Sequence, residues 1–101
     1  MNQLLAQYSP TFERDLKRLA KKHYDVEKIA EVVDLILENS EESKAMLRQR
    51  HNMHTLRGVW QGSKECHVCN AGDWLLIWRV SDKIALMQRT GTHDELFKKG
   101  K

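Results

Sequence analysis

The sequence predicts an α+β fold. An N-terminal strand and a helical hairpin would pack on a mainly antiparallel sheet of four to five strands, followed by a short C-terminal helix. Three observations carry this prediction. Apolar residues recur at helical spacing between residues 10 and 38. After residue 54 the pattern changes to short strand-like runs punctuated by Gly58, Gly62, Gly72 and the turn Ser81-Asp82-Lys83. The chain has 101 residues, which predicts one domain over 1–101.

Leu4 to Tyr8 reads as the first strand. Ser9-Pro10 then opens a helix, because serine caps the free N–H groups and proline fits the first turn. Phe12, Leu16, Leu19 and Ala20 form its apolar stripe. Arg14, Lys17, Arg18 and Lys21 recur at steps of three and four on another face, a pattern suited both to a solvated surface and to tracking phosphates. After a short link around His23-Tyr24, Asp25 caps a second helix with Val26, Ile29, Ala30, Val33, Ile36 and Leu37 on its apolar face. Asn39-Ser40 ends it, and the short link predicts an antiparallel hairpin. Residues 41–53 are polar around Ala45, Met46 and Leu47, and read as a loop with room for a short helix.

Four strands follow, over Leu56–Trp60, Glu65–Cys69, Trp74–Val80 and Ile84–Arg89, and links this short predict antiparallel pairing. Thr92, with Glu95 three residues on, predicts a capping box for a terminal helix carrying Leu96 and Phe97.

Composition narrows the class. Mean hydropathy is −0.64, and no apolar run approaches the ~20 residues of a membrane span. The segment Met1 to Gln7 has neither the basic start nor the apolar core of a secretory signal, so a cytoplasmic protein without membrane contact is expected. Residues 1–50 carry nine Lys/Arg against nine Asp/Glu, and residues 51–101 carry eight against five. The net charge of +3 therefore lies in the second half, which also holds His51, His54, His67 and His93. A basic, histidine-rich half suits an anionic partner such as nucleic acid.

Cys66-His67-Val68-Cys69 has the Cys-x-x-Cys spacing, but no second ligand pair accompanies it. On a strand the two cysteines would point to opposite faces, so thiols without a metal are expected. The same alternation puts His67 and Cys69 on one face of their strand. It puts Asp73, Leu75, Ile77 and Arg79 on one face of the next, with the bulkier Trp74, Leu76, Trp78 and Val80 turned toward the helices. His67, Asp73, Arg89 and His93 would then converge at one sheet edge. Histidines move protons near neutral pH, and an arginine grips phosphate bidentately. A ring such as Phe97 stacks on a base. The set suits RNA cleavage: one group takes the 2′-hydroxyl proton, a second protonates the leaving 5′-oxygen, and a cation stabilises the phosphorane-like transition state.

The ordered series His54-x-Leu56-x-Gly58-x-Trp60-x-Gly62, His67-Val68, Asp73-Trp74-Leu75-Leu76-Ile77 and Arg89-Thr90-Gly91-Thr92-His93-x-x-Leu96-Phe97 resembles the YafQ branch of the RelE-like toxins of bacterial toxin–antitoxin modules. The resemblance implies a compact α+β toxin that enters the ribosomal A site and cuts mRNA there by 2′-hydroxyl attack, without a metal or other cofactor. It implies two partners, the 70S ribosome with its rRNA and mRNA and a cognate antitoxin. By the same resemblance His54, His67, Asp73 and His93 match catalytic positions, Arg89 matches the arginine on the scissile phosphate, and Phe97 matches the aromatic beside the site. We assign His54 as general base and His93 as general acid, with His67 and Asp73 orienting substrate or sharing proton transfer. Arg14, Lys17, Arg18 and Lys21, with the Lys98, Lys99 and Lys101 tail, would attract RNA. Two other readings stay open on the same fold: a ParE-like toxin that is not a nuclease, and a protein-binding module.

Overall fold

The computed structural model describes residues 3–69 and 73–97. The tail lysines Lys98, Lys99 and Lys101 and the turn at Gly72 lie outside the described residues. The elements are β1 (Leu5–Tyr8), α1 (Pro10–Lys21), α2 (Glu27–Glu38), α3 (Glu41–His51), β2 (His54–Thr55), β3 (Lys64–His67), β4 (Leu75–Ser81), β5 (Ile84–Gly91) and α4 (His93–Phe97). The sheet order is β1-β5-β4-β3-β2. β2 to β5 form an antiparallel meander, and β1 lies parallel to β5 at the edge.

Local chemistry explains most boundaries. The Ser9 hydroxyl accepts the Phe12 N–H at 2.9 Å, and Pro10 occupies the first turn of α1. Val26 rather than Asp25 is the capping residue of α2, and the Asp25 carboxylate accepts the Glu27 N–H from one position earlier. Asn39 closes α2 in the left-handed conformation, which asparagine tolerates.

Residues 41–51 form a full helix where a loop was expected. Ser40 and Ser43 cap each other reciprocally, with Glu41 and Glu42 in the first turn and Arg48, Arg50 and His51 in the last. Only Ser43 and Leu47 of α3 are buried, so the apolar period was too thin to read. The predicted strand Leu56–Trp60 is also corrected. Pairing stops at Thr55, and Gly58 takes a φ of 73° into a 3₁₀ turn over Gly58–Trp60.

Two cores sandwich the sheet. On the helix side Phe12, Leu19, Ile29, Val32, Val33, Ile36 and Leu47 pack on Cys66, Trp74, Leu76, Trp78, Ala85 and Met87. On the other side Leu75, Ile77 and Leu96 form a smaller core with Leu56, Trp60 and Phe97. The alternation along β4 is therefore as predicted. Ala20 and Ala30 of the two expected stripes are exposed, while Asp15 is buried on α1. Cys66 and Cys69 both face the helix-side core, because β3 ends at His67 and the chain bends through residues 68–69 before alternation can separate them. Neither is in a disulfide. Burial, then the neighbouring Glu65 charge, pushes the Cys66 thiol far up, which leaves it a small core hydrophobe.

Candidate active site

The strand register builds the site. His54 pairs with Glu65, Glu65 with Ile77, and Ile77 with Arg89, giving one row across four strands. His67 pairs with Leu75 and Leu75 with Gly91 in the next row, just before α4. Directly paired residues share a face, and Leu75 and Ile77 mark it as the one bearing the smaller core. Titratable groups thus rim an apolar floor.

Asp73 precedes β4 and receives α4. The His93 backbone N–H donates to both carboxylate oxygens, at 3.1 and 3.2 Å, and His93 Nδ1 makes a short hydrogen bond to Oδ1. A carboxylate only accepts, so Nδ1 carries the proton and Nε2 is left for a substrate. Slight burial opposes ionisation of Asp73. The His93 side-chain and backbone bonds, with the charges of His93 and His67, outweigh it and hold the carboxyl below its ordinary range. The His67 ring lies 6.2 Å from that of His93, and Phe97 lies 6.0 Å beyond, one helical turn along α4. His67, Asp73, His93 and Phe97 therefore come together, whereas the described side-chain contacts of Arg89, expected at the same edge, are to Asp15 and not to the histidines.

Arg89 is aimed by an irregularity. Ile77 pairs with Arg89 and Trp78 with Met87, so Gln88 is an extra residue in β5 and forms a β-bulge. Among the described residues no strand pairs with this edge of β5 beyond Met87, since β1 pairs with Ile84–Met87. Side chains of the β1–α1 segment take that edge. The Ser9 hydroxyl donates to the Gln88 carbonyl, and the Thr90 N–H donates to Asp15 Oδ2 at 3.1 Å. Asp15 then accepts Arg89 through Nε at 2.8 Å and Nη2 at 3.1 Å, and Arg18 Nη1 at 2.8 Å. Burial works against its charge, but the bonds from Arg89, Arg18 and Thr90 prevail and keep its carboxyl low.

Arg18 also grips Glu95 with Nε and Nη2, both at 3.1 Å. Glu95 accepts the Thr92 N–H in the predicted capping box. Arg18 thus ties α1 to α4. Arg14, Lys17 and Lys21 are exposed on α1, and no described contact joins them to the histidines.

The described contacts of the His54 ring are to Glu65 and Asn52 and not to the other histidines. Its Nε2 lies 3.0 Å from Glu65 Oε1, and its Nδ1 lies 3.0 Å from the Asn52 carbonyl.

The family described as "Bacterial toxin of type II toxin-antitoxin system, YafQ" matches residues 4–98. The chain belongs to that family. A curated relative, the "mRNA interferase toxin YafQ" of Escherichia coli strain K12, is 34% identical over 91 residues, which are 90% of this chain and 92% of the relative. The crystal structure of YafQ from E. coli strain BL21(DE3) matches with a TM-score of 0.78 and 33% identity, over 94% of this chain and 99% of that one. The toxin in the crystal structure of the E. coli DinJ-YafQ toxin-antitoxin complex matches with a TM-score of 0.78 and 34% identity, over 94% and 98%.

Around this site, sequence reasoning missed Asp15, Glu65 and Asn52. Two left a signal. Asp15 follows Phe12 by three residues and precedes Leu19 by four, so it is a charge on an apolar stripe. Glu65 has the strand parity of His67. Among the described residues, no group of three or more His, Cys, Asp or Glu is placed to hold a metal ion, and no helix is long and apolar enough to cross a membrane.

Proposed function

We propose that this chain is a toxin that cuts mRNA in the ribosomal A site, using the substrate's own 2′-hydroxyl as nucleophile and histidines as proton carriers. The observation that carries the reading is the Asp73–His93 pair with the His67 ring beside it. One histidine takes the 2′-hydroxyl proton, and the 2′-oxygen attacks the adjacent phosphorus. His93, with its Nδ1–H held by Asp73 and a second proton on Nε2, hands the Nε2 proton to the leaving 5′-oxygen and ends as the neutral Nδ1–H imidazole. Arg89 spends Nε and Nη2 on Asp15, which orients Nη1 toward the phosphate where negative charge develops. Phe97 offers a ring on which an A-site base can stack. Exposed Arg14, Lys17 and Lys21 supply long-range attraction to rRNA, whereas Arg18 serves by joining α1 to α4. The cognate partner is an antitoxin, in keeping with the family and with the DinJ-YafQ complex of the relative.

The test is cleavage on programmed ribosomes. An all-ribose A-site codon should be cut, and the same codon with 2′-deoxy substitutions should survive. Cleavage that persists on the deoxy codon removes the 2′-hydroxyl mechanism. Equal cleavage of naked mRNA removes ribosome dependence.

A further inference from the structure

A polar cleft opens beside His67, between the end of β3 and the C-terminal end of α3. Gln49, Arg50, Asn52, His67 and Cys69 line it, and its volume of about 360 Å³ lies within the roughly 300–1,000 Å³ of small-ligand sites. The chain path makes it. His54 pairs with Glu65, so the residues just before His54 run past the end of β3, where His67 stands. Asn52 closes α3 in the left-handed conformation, with its N–H on the Leu47 carbonyl and its own carbonyl on His54 Nδ1. His51 Nδ1 donates to the His67 carbonyl at 2.7 Å and ties the two walls together.

The backbone groups of Asn52 are thus engaged, but its side-chain amide is not. Among the described residues no hydrogen bond or ion pair uses the side chains of Gln49, Arg50 or Asn52. A left-handed position admits glycine as readily as asparagine, so the turn alone does not require an amide there. Arg48, Arg50 and His51 offset the negative end of the α3 dipole, which asks for charge but not for a direction. No carboxylate lines the cleft. The groove between α1 and α2 differs, because it is apolar and carries Glu13 and Asp34, which repel phosphate. Unpaired amides beside an unpaired guanidinium suit one ligand class. An amide offers a donor and an acceptor to the edge of an unstacked base, and a guanidinium grips a phosphate.

The proposed reaction gives the ligand a direction. The attacking 2′-oxygen and the leaving 5′-oxygen stand in line on opposite sides of phosphorus. His93 serves the leaving oxygen, with Phe97 beyond it along α4. The cleft is lined by His67 and by neither His93 nor Phe97. The nucleotide that carries the leaving oxygen therefore lies toward Phe97, and the nucleotide that carries the 2′-hydroxyl lies toward the cleft.

We propose that the cleft is a base-reading subsite for single-stranded mRNA. It takes the nucleotide on the 5′ side of the cleaved bond, with the Gln49 and Asn52 amides on its base edge and Arg50 on the phosphate that precedes it. The proposal rests on the nuclease reading and adds to it the residues that set which codon is cut.

Two experiments on the full chain test this. The first needs no cleavage. A single-stranded hexanucleotide with 2′-deoxy sugars throughout is titrated into ¹⁵N-labelled protein, to about tenfold above the ~10⁻⁴ M of weak non-specific nucleic-acid binding. The side-chain NH₂ signals of Gln49 and Asn52 should move, and that of Gln7 on β1 should not. Unmoved Gln49 and Asn52 signals overturn the proposal. If both move but no codon is cut on ribosomes, the subsite stands and the nuclease reading falls.

The second experiment measures kcat/KM on ribosomes programmed with four codons that differ only in the base 5′ to the cleaved bond. The unsubstituted protein should favour the best base over the worst by about 5- to 150-fold, the discrimination of one bidentate pair. Gln49→Ala combined with Asn52→Gly, in which glycine keeps the left-handed turn, should bring the four rates within about twofold of one another. A preference that survives both substitutions overturns the proposal and leaves the nuclease reading intact. Arg50→Gln should lower kcat/KM by a similar factor on all four codons, as loss of a phosphate contact does. Arg48→Gln removes the same charge from the same helix outside the cleft, and its loss should be smaller. Equal losses in the two variants would reduce Arg50 to long-range attraction and remove it from the subsite.

Discussion

Asp15 and Asp73 are both carboxylates that accept from a nitrogen-bearing side chain and a backbone N–H, and both have pKa values held below the ordinary carboxylate range. Their surroundings differ. The Asp15 side chain is 2% exposed and joins α1 to β5 through Arg18, Arg89 and Thr90. The Asp73 side chain is 48% exposed and holds one histidine at the mouth of the site. The same chemistry serves architecture where water is excluded and, in the proposed reaction, proton transfer where substrate can enter. Asp15 does reach the site, but through Arg89, which it aims.

The largest expected effect lies on the exposed side. His93→Gln should slow A-site cleavage about 10³-fold, within the range for a lost general acid, and Asp73→Asn should slow it about 10²-fold. Thermal unfolding of both variants should match the parent within a few degrees, since each alters one half-exposed contact. Cleavage unchanged in Asp73→Asn, with lowered stability, would show that Asp73 belongs with Asp15 as a structural group.

Asp15→Ala should act the other way. It leaves Arg18 and Arg89 without their shared partner and the Thr90 N–H unsatisfied. The two arginines keep 33% and 25% exposure, which places the loss at the lower end of the range for breaking a buried pair, about 3 kcal/mol. Denaturant unfolding should report that loss directly, with roughly 15 °C off Tm for a domain of this size. A loss below 1 kcal/mol would show that the hub is solvated and the contrast with Asp73 is one of position only.

Acid should distinguish the two carboxylates. A group whose folded pKa lies below its unfolded value stabilises the fold above the unfolded value, and that contribution is lost as pH falls through the folded one. For Asp15 the window lies below its ordinary 3.8. Stability measured from pH 5 downward should therefore fall most steeply beneath about pH 4. Asp15→Ala should flatten that limb, and Asp73→Asn should leave most of it. Equal flattening by both would erase the distinction.

The legible parts of the molecule are those written in short-range patterns. Phe12 and Leu19 are buried on α1, and Trp74, Leu76 and Trp78 turn to the helix side as alternation requires. Thr92 and Glu95 cap α4 as their spacing predicts. The convergence of His67, Asp73, His93 and Phe97 was readable because strand parity and one helical turn place them. Asp15 was not readable as a partner of Arg89, because the two are 74 residues apart and meet through a bulge and an empty sheet edge. The contact of His54 with the Asn52 carbonyl involves a backbone group that no side-chain pattern encodes. α3 escaped because its cap uses serine at both positions and its buried face is two residues wide.

The smallest predicted effect uses that helix to separate stability from site geometry. The Ser40 hydroxyl accepts the Ser43 N–H at 3.0 Å and opens α3, whose other end delivers His51 to the His67 carbonyl. Ser40→Ala removes one capping bond and should cost about 1 kcal/mol in denaturant unfolding. The lost bond lies two turns or more from His51, and Leu47 still anchors the helix in the core. Cleavage per folded molecule should therefore stay at the parent rate, as a helix-side change requires if the two faces of the sheet act separately. A drop beyond threefold would mean that α3 sets the position of His67 through His51, and that the division between architectural and catalytic groups does not follow the sheet.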